Sequence, residues 1–187
     1  MRHLALCILA ALTLALSAAP VRAADWSVLG GPGVIAVMRH ALAPGGGDPV
    51  RFVVDDCSTQ RNLNERGREQ ARRIGQELRE RGLTFDAVLS SRWCRCLDTA
   101  TEMGIGKVEP FEPLNSFFNE RQNKDGQTEE VRRFLAAQGG RKRMMLVTHQ
   151  VNITALTGIF PDSGEIVAIR VSEDGRVEVL GTVLVDP

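Results

Sequence analysis

Arg39 and His40 stand side by side immediately after a short apolar run, Val34-Ile35-Ala36-Val37-Met38. His149 follows a second such run, Met144 to Thr148, and directly precedes a helical stretch from Gln150 to Thr157. A third run, Phe85 to Leu89, ends in Ser90-Ser91 and leads within a few residues to Arg95, where another helix is expected to begin. Runs of this length bounded by turn residues read as buried strands, so the reactive side chains fall at strand ends. In open α/β sheets, ligands bind beyond the carboxyl ends of the strands, and a helix N-terminus presents backbone N–H groups to an anion. Two arginines, two histidines and a helix start on one rim describe a phosphate cradle with a nucleophile inside it.

Phosphoryl transfer needs these residue types. It requires cations on the non-bridging oxygens, an in-line nucleophile and a proton for the leaving group. Arginine grips phosphate through two parallel hydrogen bonds and keeps its charge. A neutral imidazole is nucleophilic near neutral pH and can carry the phosphoryl group covalently, while a second can donate to the phosphoryl oxygens. This chemistry needs no metal or other cofactor, and the histidines lack the Cys/His spacing of a zinc site.

The elements that position these residues follow from the surrounding pattern. Ala41 to Arg61 is rich in Gly, Pro and Asp without a period, the mark of a long functional loop. From Asn64, a helix cap, Ala71, Ile74 and Leu78 form one apolar face up to Arg81, and Gly82 supplies the stop. A helix near Arg95 turns Cys96, Ala100 and Met103 inward, and a short strand is expected around Val108. Thr128 reads as the cap of a further helix, with Glu129 and Glu130 in its first turn and Val131, Phe134 and Leu135 on its buried side. Ile166–Val171 and Val177–Val183 alternate around Asp174-Gly175 as a hairpin. Strands alternating with helices predict an α/β three-layer sandwich: a mostly parallel central sheet, helices on both faces and an antiparallel edge hairpin.

Four segments carry a resemblance. Val37-Met38-Arg39-His40-Ala41 resembles the Arg-His-Gly signature of the histidine phosphatase (phosphoglycerate mutase-like) superfamily, with Ala41 in place of Gly. Leu63-Asn64-Glu65-Arg66-Gly67-Arg68-Glu69-Gln70-Ala71 is similar to its Leu-Thr-x-x-Gly-x-x-Gln-Ala helix start. Ser90-Ser91 with Arg95, Thr99 and Ala100 resembles its Ser-Ser-x-x-x-Arg-Ala-x-x-Thr-Ala segment, and Thr148-His149-Gln150-Val151-Asn152-Ile153 its Thr-His-Gly-Gly-Asn-Ile block. Carried over by position, the resemblance implies His40 as the phosphorylated nucleophile, Arg39 and Arg95 as phosphate ligands and His149 as the residue that completes the pocket. Arg92 occupies a variable family position, which leaves Arg95 as the arginine of choice. Asn119-Glu120-Arg121 is similar to the Asn-Glu-Arg of the mutase branch and makes Glu120 the candidate proton donor, with Asp55, Asp56 and Asp125 as alternatives. Asn152 is either a substrate ligand or a polar residue on a helix face. Arg61 and Arg66 read as solvated.

Composition and the N-terminus bound the function. Acids and bases balance, with no basic excess to dock a nucleic-acid backbone, and the few aromatics, with no Tyr, offer no stacking platform. Met1-Arg2-His3, an apolar stretch from Leu4 through Ala19, and Val21-Arg22-Ala23 form the three-part pattern of a secretory signal over residues 1–23, leaving one domain over 24–187. The apolar run falls short of the ~20 residues of a spanning helix. The expected location is periplasmic or secreted, where Cys57 is expected to pair with Cys94 or Cys96 and pin the loop over the site. The expected activity is a metal-independent phosphomonoesterase of the histidine acid phosphatase type. Its substrate would be a sugar phosphate or a phosphorylated envelope glycan, since the short chain has no room for the cap of phytase-like relatives. A phosphate-binding module without turnover is the alternative from another class, and a phosphomutase fits poorly with export away from glycolysis.

Overall fold

The computed structural model describes residues 25–187; the expected signal over residues 1–23 lies outside the described residues. Among them no helix is long and apolar enough to cross a membrane. The apolar runs form the centre of one sheet. Its strands are β1 (Ile35–Arg39), β2 (Ala87–Ser90), β3 (Val108–Pro110), β4 (Met144–Thr148), β5 (Ile166–Val171) and β6 (Val177–Val183). They lie in the order β3-β2-β4-β1-β5-β6. The first four are parallel, with β4 between β2 and β1. β5 runs antiparallel to β1, and β6 closes the edge as the second arm of the hairpin.

Helices cover both faces, which is why β1 and β4 read as continuous rather than alternating apolar runs. On one side Ala36, Met38, Met145 and Val147 pack under α1 (Glu65–Glu80) and α2 (Cys94–Met103) through Ala71, Ile74, Leu78, Ala100 and Met103. On the other, Ile35, Val37, Met144 and Leu146 meet Val131, Leu135, Ile153 and Leu156 of α3 (Lys124–Ala137) and α4 (Gln150–Thr157). The sandwich is the predicted one.

Local chemistry sets the helix ends. The Asn64 side chain accepts a hydrogen bond from the Gly67 N–H at 2.9 Å and caps α1 as expected. α2 and α4 each stop at a left-handed glycine, Gly104 and Gly158. One boundary differs from expectation. α3 begins at Lys124, a turn before Thr128, whose hydroxyl donates back to the Lys124 carbonyl at 2.6 Å. Asp125, not Glu129, is therefore the acidic residue of the first turn. A threonine one turn inside a helix can make this bond, so its type alone does not mark a cap.

Candidate phosphate-binding site

Because β2, β4 and β1 are parallel neighbours, their carboxyl ends emerge side by side, and each delivers its residues to the same rim. A cleft of about 210 Å³ opens there, with Arg39, His40, Arg95 and His149 in its wall. The two imidazoles meet edge to face with centroids 5.6 Å apart.

His40 is 2% exposed, and its Nδ1 lies 2.8 Å from the carbonyl oxygen of Ala41. A carbonyl only accepts, so Nδ1 carries the proton and Nε2 holds the lone pair. Burial, reinforced by the Arg95 guanidinium, holds the His40 pKa well below the ordinary histidine value. The ring is thus neutral with one nitrogen free to attack.

His149 has the complementary wiring. Its Nδ1 sits 3.3 Å from Nη2 of Arg95, which can only donate, so Nε2 carries the proton and donates to the Ser91 hydroxyl at 2.8 Å. Burial and then Arg95 lower its pKa as well. Ser91 in turn donates to Oδ1 of Asn115 at 3.3 Å. Ser91 thereby orients the second histidine.

Arg39 donates to the Pro161 carbonyl at 2.9 Å. The Nε atoms of both Arg39 and Arg95 are buried without a partner, unspent donors beside a cleft sized for an anion.

Arg95 holds a carboxylate that sequence reasoning did not single out. Nη1 and Nη2 of Arg95 bond the two oxygens of Asp48 at 2.6 and 3.0 Å, with side chains only 3% and 7% exposed. Trp93 Nε1 also donates to Asp48, at 3.1 Å. Burial works against this carboxylate, yet the hydrogen bonds and charge of Arg95 outweigh it and hold the pKa below the usual carboxylate value. Asp48 follows Gly45-Gly46-Gly47, and this turn forms part of the cleft wall. Arg61, expected to be solvated, is instead half-buried in that wall, donating from Nε to the Gly47 carbonyl at 2.8 Å and from Nη1 to that of Ala43. Carbonyls on either side of the turn, at Ala43 and Gly47, hold the guanidinium inward.

Other candidates lie elsewhere. Glu120 is exposed, accepts a bond from Asn123 at 2.7 Å and lines an adjoining cavity of about 270 Å³ rather than the His40 cleft. Asp55 pairs with Arg92, which also binds Glu112; Asp56 caps the 3-10 turn at Cys57–Thr59; Asp125 lies in the first turn of α3. Among the described residues, Asp48 is the carboxylate that lines the cleft. Asn152 takes the structural alternative: its side chain donates to the Asn115 carbonyl at 2.8 Å and faces the α3 side, away from the cleft. Gln150 does line the cleft, next to His149. Cys57 is bonded to Cys94, which completes the expected pairing, and Cys96 is a buried thiol whose pKa burial pushes up to about 12.

The histidine phosphatase superfamily (branch 1) matches residues 56–125, a segment that contains Arg95 but neither histidine. The fold matches that of the protein histidine phosphatase SixA complexed with tungstate, with a TM-score of 0.60, 19% identity, and 80% of this chain and 96% of that one covered. It also matches a phosphoserine phosphatase variant from Entamoeba histolytica in complex with phosphoserine (TM-score 0.57, 16% identity, 80% and 96% covered). The alpha-ribazole phosphatase from Shigella flexneri is similar too (TM-score 0.57, 15% identity, 78% and 94% covered). At these identities the likeness is one of fold. A curated plant protein, "Probable galactinol--sucrose galactosyltransferase 1" of Arabidopsis thaliana, is 31% identical over 108 residues. That match takes in 52% of this chain and 14% of the plant protein's length. The resemblance of the chain to histidine phosphatases thus extends from its motifs to the family match and the fold.

Proposed function

We propose that this chain, built on the histidine phosphatase fold, hydrolyses phosphomonoesters through a phosphoryl group carried on Nε2 of His40. The observation that carries the reading is the wiring of the two imidazoles. The His40 ring is buried, neutral and has Nδ1 committed to Ala41, so the nitrogen left over is a nucleophile. Attack on phosphorus forms the P–N bond as the ester P–O bond breaks, and water then cleaves P–N to release phosphate. Arg39 and Arg95 supply the positive charge for the non-bridging oxygens. An imidazole beside a phosphoryl anion gains a reason to be protonated, which would turn His149 into a further donor. Arginines and imidazoles meet the charge demands of this sequence, so it is written without a metal.

Export through the N-terminal segment and action on a sugar phosphate or a phosphorylated envelope glycan complete the proposal. What supports this substrate class is the cleft itself, which lies at the sheet rim with Arg39, His40, Arg95 and His149 in its wall.

The test uses the purified chain from residue 24 onward with p-nitrophenyl phosphate and a chelator present. Turnover in the wild type, its loss in His40→Ala, and acid-labile phosphate on His40 after rapid quenching are the expected results. Turnover that persists in His40→Ala would overturn the assignment. Tight phosphate binding without any turnover would make the chain a binding module instead.

A further inference from the structure

We propose that Asp48 is the proton donor to the leaving group. This rests on the phosphohistidine reading above. Its basis is position: Asp48 lines both the His40 cleft and the adjoining cavity, which share Asp48, Ser116 and Phe118. A phosphoryl group held at His40 directs its ester substituent away from the attacking nitrogen, and the adjoining cavity is the space that continues the cleft. The bond to be broken then lies at the boundary where Asp48 stands.

The Arg95 pair explains how the acid is loaded. In the free protein, both terminal nitrogens of Arg95 are occupied by Asp48. They are also the donors that a substrate phosphate requires. Incoming phosphate takes over that fork, and Asp48 is left beside a second anion without its main counter-ion, which favours proton uptake. The turn before it is suited to the shift: Gly45 and Gly47 have φ of +92° and +68°, and Gly46 has open space where a Cβ would project. Asp48–H then gives its proton to the ester oxygen as P–O breaks and P–N forms, and an alcohol departs. In the second half, the carboxylate takes a proton from the attacking water as P–O forms and P–N breaks.

The charges around Asp48 set the pH window. Arg95 from α2 and Arg61 from the loop face it directly, and Arg39, His40 and His149 lie across the cleft. Glu112 and Glu120 line the far cavity. The cations delay proton uptake until phosphate offsets them, so turnover of alkyl phosphates is expected to rise toward acid pH.

The experiment compares Asp48→Asn with wild type on two substrates. p-Nitrophenolate departs without a proton, whereas the alkoxide of glycerol 2-phosphate needs one. The expected loss in kcat/KM is about 100-fold or more for the alkyl ester. For the aryl ester a loss below about 10-fold is expected, and Asp48→Glu should recover part of the alkyl activity. Equal losses on both would reduce Asp48 to a residue that merely positions Arg95. An undiminished alkyl rate would remove it from the mechanism. Should Asp48→Asn not fold, wild-type rates over a series of aryl phosphates decide: a shallow dependence on leaving-group acidity supports the donor, and a steep one overturns it. Failure of the wild type to label His40 or to turn over either ester would instead strike the underlying phosphatase reading.

Discussion

Cys57 is covalently joined to Cys94, the residue immediately before Arg95. The bond ties the distal end of the loop that carries Asp48 to the first turn of α2. Gln60 adds a second tie, its side-chain oxygen accepting from the Cys94 N–H at 3.0 Å. The cysteines are separated by 37 positions. Loop-closure entropy for that span corresponds to roughly 3–4 kcal/mol. Replacing both cysteines by serine is expected to lower the unfolding free energy by that amount in denaturant titrations and to reduce kcat/KM for p-nitrophenyl phosphate. A stability change near zero would mean that the loop is held by its hydrogen bonds alone.

The Asp48–Arg95 pair is buried, so removing one partner strands a charge. Asp48→Ala and Arg95→Ala are each expected to destabilise by about 3–5 kcal/mol. The double variant should cost distinctly less than the sum of the two, because neither charge is then left alone. A double-mutant cycle by chemical denaturation measures this coupling. Strict additivity would show that the pair is energetically idle.

Both histidines are held neutral in the fold, with pKa values depressed by burial and Arg95. In the unfolded chain they titrate normally, at about 6.5. Below that pH the unfolded state binds the additional protons, so stability falls as pH drops toward the depressed folded values. Each histidine contributes at most about 1.4 kcal/mol per pH unit. Unfolding free energy is thus expected to fall by up to roughly 2.7 kcal/mol per unit below pH 6 from these two groups. His40→Asn should remove about half of that slope, and an unchanged slope would contradict the neutral assignment.

Gly67 and Gly75 lie inside α1, where glycine is unfavourable by about 1 kcal/mol relative to alanine. A Cβ at Gly75 would collide with the Met103 carbonyl at the end of α2, and one at Gly67 with the Leu42 carbonyl, two residues after His40. Gly75→Ala is therefore expected to lower stability by about 1–3 kcal/mol despite the better helix former. Gly67→Ala should in addition reduce turnover, because the displaced backbone adjoins the carbonyl that orients His40. Thermal unfolding and kcat/KM check the two.

The cradle is legible in the sequence because its members follow a regular element. Arg39, His40 and His149 close apolar runs, and Arg95 opens a helix soon after another. Parallel pairing of β2, β4 and β1 then brings them together without further specification. Asp48 and Arg61 belong to a stretch without period, where nothing local distinguishes Asp48 from Asp55 or Asp56. What turns Asp48 inward is long-range: the guanidinium of Arg95, the indole of Trp93 and the covalent tie at Cys57. Glu120 and Asn152 show the converse. Each sits beside a residue of plausible chemistry, yet the chain path through the 3-10 turn at Arg121–Asn123 and the inward face of α4 direct them away from the cleft.

Trp93 hands its indole N–H to Asp48 and stands edge-on to His149, with ring centroids 5.4 Å apart. The chain has only two tryptophans, and the other, Trp26, lies beneath the guanidinium of Arg81, the residue that follows α1. A fluorophore therefore stands in the wall of the adjoining cavity, in contact with two residues of the cleft. Once Trp26 is replaced by phenylalanine, ultraviolet emission isolates a single indole whose hydrogen-bond acceptor changes as an oxyanion arrives, so occupancy can be followed optically on the stopped-flow timescale without an added dye.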